Sequence, residues 1–249
     1  MDTFTPTIVG IDPGLGSGFK ICVLSTKKDK TFLQTKNLRS LENGVGVVRF
    51  ISSPDSSAET VKEIFSEINL RKVDVVVGTG TGSAEVQAFL SKCLGNKIII
   101  HEISEDGASI YSTTEAAMAE FKATNPKADI HPSWLGALSI GRRYISPLSE
   151  LIKIPPQNLG FGQYQHDAKD GTLKVAMERV VTDAVAERGV WVNYDPPSLL
   201  SYIPGFTKSI TEALLKARPF KSRDDMLKRV RGLGPKTFEN ACAFCMIDR

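Results

Sequence analysis

Thr7-Ile8-Val9-Gly10-Ile11-Asp12-Pro13-Gly14-Leu15-Gly16-Ser17-Gly18 is the stretch on which the fold of the first half of the chain turns. Its first six residues are mostly β-branched or apolar and end on a carboxylate, the pattern of a buried strand. A glycine-rich turn follows, and Phe19–Ser25 reads as a second strand, near enough in sequence to form a hairpin with the first. A strand ending at Asp12 presents that carboxylate at the carboxyl edge of a sheet, where α/β proteins place their sites. The competing reading of Asp12 is a turn-forming Asp ahead of Pro-Gly.

Lys27-Lys28-Asp29-Lys30 reads as a turn, residues 31–38 as a third strand, and residues 41–54 as a loop with some extended character. Ser56 and Ser57 start a helix that Val61, Ile64, Phe65 and Ile68 continue at helical spacing. Val73–Gly78 is a fourth strand, residues 83–93 a helix, and residues 97–103 a fifth strand. A helical segment with Trp134, Leu135, Leu138 and Ile140 then runs towards Leu151. Three adjacent strands followed by alternating helices and strands call for hairpins first and crossovers later. The expected fold class is α/β: a ribonuclease-H-like mixed sheet with flanking helices. A generic doubly wound α/β domain shares much of this pattern.

Residues 1–155 form this domain. After Pro155-Pro156 comes a polar, aromatic connector, Gly160-Phe161-Gly162-Gln163-Tyr164-Gln165-His166-Asp167, and a helix over residues 173–188, so residues 156–195 are read as connector and helix. Residues 196–249 are expected to be a small all-α domain with two helix-hairpin-helix motifs. Its short helices, over residues 198–202, 208–218, 224–229 and 237–246, are joined by Ile203-Pro204-Gly205-Phe206 and by Val230-Arg231-Gly232-Leu233-Gly234-Pro235-Lys236. Glycine permits each tight turn and a close approach of a nucleic-acid backbone. The amides of the following helix favour an anion. Gly205, Lys208, Gly232, Gly234, Lys236 and Thr237 are the candidate nucleic-acid-binding residues. A side chain at Gly234 is expected to meet either the turn's own backbone or an incoming phosphate. Two ordinary helical turns with capping glycines are the bland alternative.

The charge distribution fits such a partner. The 249 residues carry a net charge of only +3, yet the segment from Pro196 holds ten Lys and Arg against five Asp and Glu, and the rest holds 21 against 23. A basic carboxyl-terminal fifth is expected to meet phosphate without sequence preference. Apolar residues make up 41%, enough for a packed core. The longest apolar runs are too short to span a bilayer, and the first residues carry no secretory pattern. The four cysteines lack disulfide-framework spacing. A cytoplasmic setting (nuclear or organellar in a eukaryote), with no membrane and no secretion, is expected.

The glycine turn after Asp12 lacks the Gly-x-x-x-x-Gly-Lys-Ser/Thr form, which excludes a Walker phosphate loop. It is similar to the first phosphate loop of actin-like and sugar-kinase ATPases, but those need two such domains around a cleft, more than this chain holds. With Glu105 just past the fifth strand, and Glu102 and Asp106 beside it, Asp12 offers two anchors of the kind that ribonuclease-H-type nucleases use to hold two metal ions. Cys242 and Cys245 have redox or zinc spacing without a second ligand pair, and packing is the simpler role. His166 reads as a hydrogen-bonding residue at the domain junction or a base, Arg142 and Arg143 as phosphate contacts or a solvated helix face, Trp134 and Trp191 as core or junction residues.

Several stretches carry a family resemblance. Ile8-Val9-Gly10-Ile11-Asp12-Pro13-Gly14 resembles the opening of YqgF-type ribonuclease-H-like domains. Residues 103–112, Leu138-Ser139-Ile140-Gly141-Arg142-Arg143, residues 160–167 and Leu233-Gly234-Pro235-Lys236-Thr237-Phe238-Glu239 are similar to segments of the Tex family of transcription accessory proteins, in the family's own order. The resemblance implies a nucleic-acid-binding factor linked to transcription and related to a eukaryotic elongation factor, with DNA, RNA or both as partner and the transcription machinery as a further one. Family members also carry a long N-terminal helical region and a C-terminal S1 domain. Neither is in these residues, so a fragment, a truncated product or a reduced paralogue is expected. Two positions depart from the family: Thr79 stands where Asn is typical, and Ser146 stands where the resemblance implies a third carboxylate. A neutral Ser146 leaves Asp12 and Glu105 as weak Mg²⁺ ligands, with Glu150, one helical turn on, as a conceivable substitute. A non-catalytic binding module without cofactor is therefore the leading expectation. A Mg²⁺-dependent nuclease or resolvase using Asp12, Glu105 and Glu150 is the alternative, and a protein-interaction scaffold a third.

Overall fold

The computed structural model describes residues 7–14, 18–25, 45–48, 54–66, 73–95, 98–124 and 132–247. They divide into two compact units at the Pro147/Leu148 bond.

The first unit is a five-stranded sheet with helices on both faces. In chain order its elements are β1 (Thr7–Asp12), β2 (Phe19–Ser25), β3 (Val45–Val48), α1 (Pro54–Ser66), β4 (Val73–Gly78), α2 (Ser83–Leu94), β5 (Ile99–Ile103), α3 (Ala108–Ser112), α4 (Glu115–Thr124) and α5 (Leu135–Ile145). The strand order is β3-β2-β1-β4-β5. β1 runs antiparallel to β2, and β2 antiparallel to β3, as hairpins require, while β4 is parallel to β1 and β5 to β4. The mixed ribonuclease-H-like sheet is thus as expected. Its third strand is not where the sequence reading put one: β3 lies within the stretch read as a loop, and residues 31–38 fall outside the described residues. Val45-Gly46-Val47-Val48 is too short to announce itself by alternation, and pairing with β2 defines it.

Because both faces are covered, β1 and β4 read as nearly continuous apolar runs. Val9, Ile11, Val75 and Val77 join Phe19, Ile64, Phe65, Val86 and Leu90 in one core layer. Ile8, Val76 and Ile140 pack on the opposite face, as do Cys22, Phe121, Leu135, Ala137 and Leu138. Gly10 lets α5 lie against β1: a Cβ there would sit 2.4 Å from the Ala137 carbonyl oxygen. The strand's period of two puts Asp12 on the same face as Ile8 and Gly10, the face that α5 covers.

The second unit contains α6 (Pro147–Leu151, from Leu148 on), α7 (Asp170–Arg188), β6 (Val190–Trp191), α8 (Pro197–Leu200), α9 (Lys208–Ala217), α10 (Arg223–Arg229), α11 (Pro235–Ala241) and β7 (Cys245–Met246), with short 3₁₀ turns at Pro156–Asn158, Gln165–Asp167 and Cys242–Phe244. Its core joins Val181 and Val185 of α7 to Leu199, Leu200, Ile203, Ile210, Leu214, Phe220, Met226, Val230, Leu233 and Cys245. Two expectations are corrected. The helical run towards Leu151 breaks at Ser146 (φ −152°), because Pro147 biases the residue before it away from helical backbone. The last expected helix, over residues 237–246, starts at Pro235 and stops at Ala241, after which Cys245 and Met246 pair in parallel with Val190 and Trp191. No helix among the described residues is long and apolar enough to cross a membrane.

Candidate nucleic-acid interface and acidic centre

The two glycine hairpins share one conformation. Gly205 (φ +81°) and Gly232 (φ +87°) both adopt the left-handed backbone that glycine tolerates best. In each turn the residue after the glycine donates its amide to the apolar residue two positions before it: Phe206 to the Ile203 carbonyl (3.0 Å) and Leu233 to the Val230 carbonyl (3.2 Å). Gly205 and Gly232 are therefore the equivalent positions. Gly234 is different. It is the N-cap of α11 with ordinary extended backbone (φ −77°, ψ 161°), and a Cβ there would meet nothing within 4 Å. Of the two obstacles expected for a side chain at Gly234, the turn's own backbone is ruled out.

The hairpins pack reciprocally. A Cβ on Gly205 would lie 3.0 Å from Thr237 Cγ2 at the start of α11, and one on Gly232 would lie 3.8 Å from Ile210 Cγ1 at the start of α9. The amino-terminal turns of α9 and α11 are thus held side by side. Thr207 caps α9, its hydroxyl accepting from the Ile210 amide at 3.3 Å. α11 has no side-chain cap, and Pro235 brings no N–H. Thr237 turns its methyl towards Gly205. Lys208 and Lys236 are exposed at these two helix starts, and Arg231, exposed in the second turn, is a third cation that the sequence reading did not single out. None of the three pairs with another described residue. By contrast Arg229 is occupied, binding Asp225 at 3.0 Å and the Pro219 carbonyl at 2.8 Å.

Behind the hairpins lies a buried polar hub that the sequence reading missed. Asp195, 4% exposed, accepts from the Ser149 hydroxyl (2.8 Å), the Arg188 guanidinium (3.0 Å) and the Trp191 amide (2.8 Å), while its carbonyl takes Arg218 at 2.7 Å. Asn193 adds bonds to Phe220 and Ile247. The hub ties α6, the end of α7 and the hairpin helices together. Nothing in the spacing of these residues marks them, since their partners are up to 54 positions away.

In the first unit, the structure brings Asp12 and Glu105 together at the carboxyl edge of the sheet. Burial raises the Asp12 carboxyl above its ordinary value, with Lys20 working in the opposite direction. Glu105 is raised by burial first and then by the charge of Asp12, and lowered by the backbone N–H of Gly80. Its Oε2 is buried with no hydrogen-bond partner. Arg143 fixes the loop: from α5 its guanidinium donates to the carbonyls of Ser104 (2.6 Å) and Asp106 (2.8 Å), on either side of Glu105. Arg142 pairs with Glu120 at 3.2 Å. Glu150 lies in α6, buried, with its carboxylate against the ammonium of Lys153. Ser146 closes α5 as its C-cap. Cys245 is buried, its thiol pushed up to about 12 by desolvation, which disfavours a thiolate ligand.

The Tex protein YqgF-like domain model matches residues 6–145, more than half of the chain, and the helix-hairpin-helix motif model matches residues 185–246. The chain belongs to the Tex family. Relatives similar to it over nearly its whole length include the S1 RNA-binding domain-containing protein 1 of Homo sapiens (33% identical, covering 98% of this chain and 23% of the human protein). Protein YhgF of Escherichia coli is 33% identical over 96% of the chain and 30% of its own length. Transcriptional accessory protein Tex of Neisseria gonorrhoeae is 32% identical over 97% of the chain and 30% of its own length. This Tex-family chain therefore spans about a quarter to a third of the curated relatives that it matches.

Proposed function

We propose that this chain is a transcription accessory factor whose second unit grips nucleic acid through the phosphate backbone, without reading sequence. The observation that carries the proposal is the reciprocal packing of the hairpins. It holds two helix starts side by side, with Lys208, Arg231 and Lys236 exposed around them. Amide groups, a helix dipole and free cations at one place favour an anion. Apart from Arg231, the turn residues Ile203–Phe206 and Val230–Pro235 carry no hydrogen-bonding side chain, which favours contact with the backbone over base reading. The name of one relative, transcriptional accessory protein Tex of Neisseria gonorrhoeae, supports a role beside the transcription machinery.

The test is Lys236→Glu titrated against two labelled duplexes and two labelled single strands of unrelated sequence. Affinity should fall by a similar factor within each pair, because a phosphate contact carries no sequence information. A loss confined to one sequence would point to base readout.

A further inference from the structure

A ribonuclease-H-like sheet edge with two carboxylates implies divalent metal, and the residues present do not fit one. Asp12 and Lys20 are direct partners across β1 and β2, at the last rung before the glycine turn. Being partners, they project from the same face, and the Lys20 ammonium lies 3.0 Å from Asp12 Oδ2. Both side chains are largely buried, 16% and 11% exposed. The same oxygen also lies against the first turn of α5, since a Cβ at Gly136 would sit 2.5 Å from it. A Mg²⁺ or Mn²⁺ ion needs ligand oxygens near 2.0–2.1 Å and keeps a shell of water, so it would have to displace the ammonium and work against that helix turn. Glu105 adds one open ligand atom at most, its buried Oε2. Its carboxylate lies over the end of β4, so close to Gly78 and Gly80 that a Cβ on either would clash with it, and it already accepts the Gly80 amide. Ser146, where the resemblance implies a third carboxylate, is the C-cap that closes α5 and carries no charge.

We infer that Lys20 is the resident cation of this centre: it supplies the positive charge that a metal supplies elsewhere, ties β1 to β2 across the turn, and makes the first unit's fold independent of divalent metal. Asp12 is then a structural anion rather than a ligand.

The experiment uses the full chain and the metal alone. Free Mn²⁺ is followed by electron paramagnetic resonance during titration of wild type, Asp12→Asn, Lys20→Met and Lys20→Met/Asp12→Asn. Wild type and Asp12→Asn should bind Mn²⁺ indistinguishably, at general surface sites. Lys20→Met should gain a site at least tenfold tighter, absent from the double variant, and Mn²⁺ should raise its melting temperature. Should Lys20→Met fail to fold, wild type still decides: the Lys20 ammonium resonance, observed by ¹⁵N-detected NMR, should stay sharp at one equivalent of Mn²⁺. Stoichiometric Mn²⁺ binding by wild type that Asp12→Asn removes, selective broadening of that resonance, or a folded Lys20→Met with no added site would each overturn the inference.

Discussion

Gly232 and Gly234 stand two residues apart in one turn and serve different ends. Gly232 needs its positive φ, so Gly232→Ala should destabilise the second unit by about 1–2 kcal/mol, the usual cost of left-handed backbone for an L-residue. Gly234 has ordinary backbone and open space, so Gly234→Ala should leave thermal stability nearly unchanged and still weaken nucleic-acid binding. Calorimetry paired with a binding titration separates the two, and a destabilised Gly234→Ala would contradict the geometry. Both glycines were visible in the sequence, but the φ that distinguishes them was not. Glu105 makes a second prediction at this scale. Its folded pKa is raised above the ordinary value of 4.5. The stability it contributes is full below that value and is lost as pH rises through the raised one. Glu105→Gln removes the charge, so the variant should melt higher than wild type at pH 7, with the gain shrinking to nothing near pH 4. Melting curves across that window check it; equal curves at every pH would mean that the Glu105 charge is well solvated.

At the scale of elements, local signals placed most strands and helices, and failures fell where tertiary context decides. β1, β2 and β4 were legible as β-branched runs because both faces of the sheet are covered. β3 was not, since four residues acquire their identity from pairing with β2. Pro147 was a legible break that the apolar run on either side obscured. The hub at Asp195 was illegible because its partners converge only in three dimensions. It yields a strong prediction. Asp195→Ala leaves the Arg188 guanidinium and the Trp191 amide without their acceptor; a buried donor left unsatisfied costs about 1–3 kcal/mol, and less falls on Arg188, whose side chain is 29% exposed. Denaturant unfolding of the second unit should show that loss, and a change under ~1 kcal/mol would mean that water replaces the carboxylate freely.

Across the whole molecule, the sequence carried the family and both units in their order, and the basic carboxyl-terminal fifth pointed to the unit expected to bind. It carried Asp12 and Glu105 as neighbours but gave Lys20 no role, because a cross-strand partner is set by register, and register became visible only once β1 and β2 were paired. It named Lys208 and Lys236 and passed over Arg231, whose exposure in the second turn is a product of the fold. The central claim is that the paired hairpins hold phosphate. Its most direct measurement is the salt dependence of binding to a labelled nucleic acid, for wild type against Lys208→Glu/Lys236→Glu. Wild type should lose affinity steeply and linearly in log–log form as salt rises. On duplex DNA the double variant should bind at least tenfold more weakly, with a slope shallower by about two, since each phosphate contact contributes about 0.9 to it. A double variant with the affinity and salt slope of wild type would contradict the account.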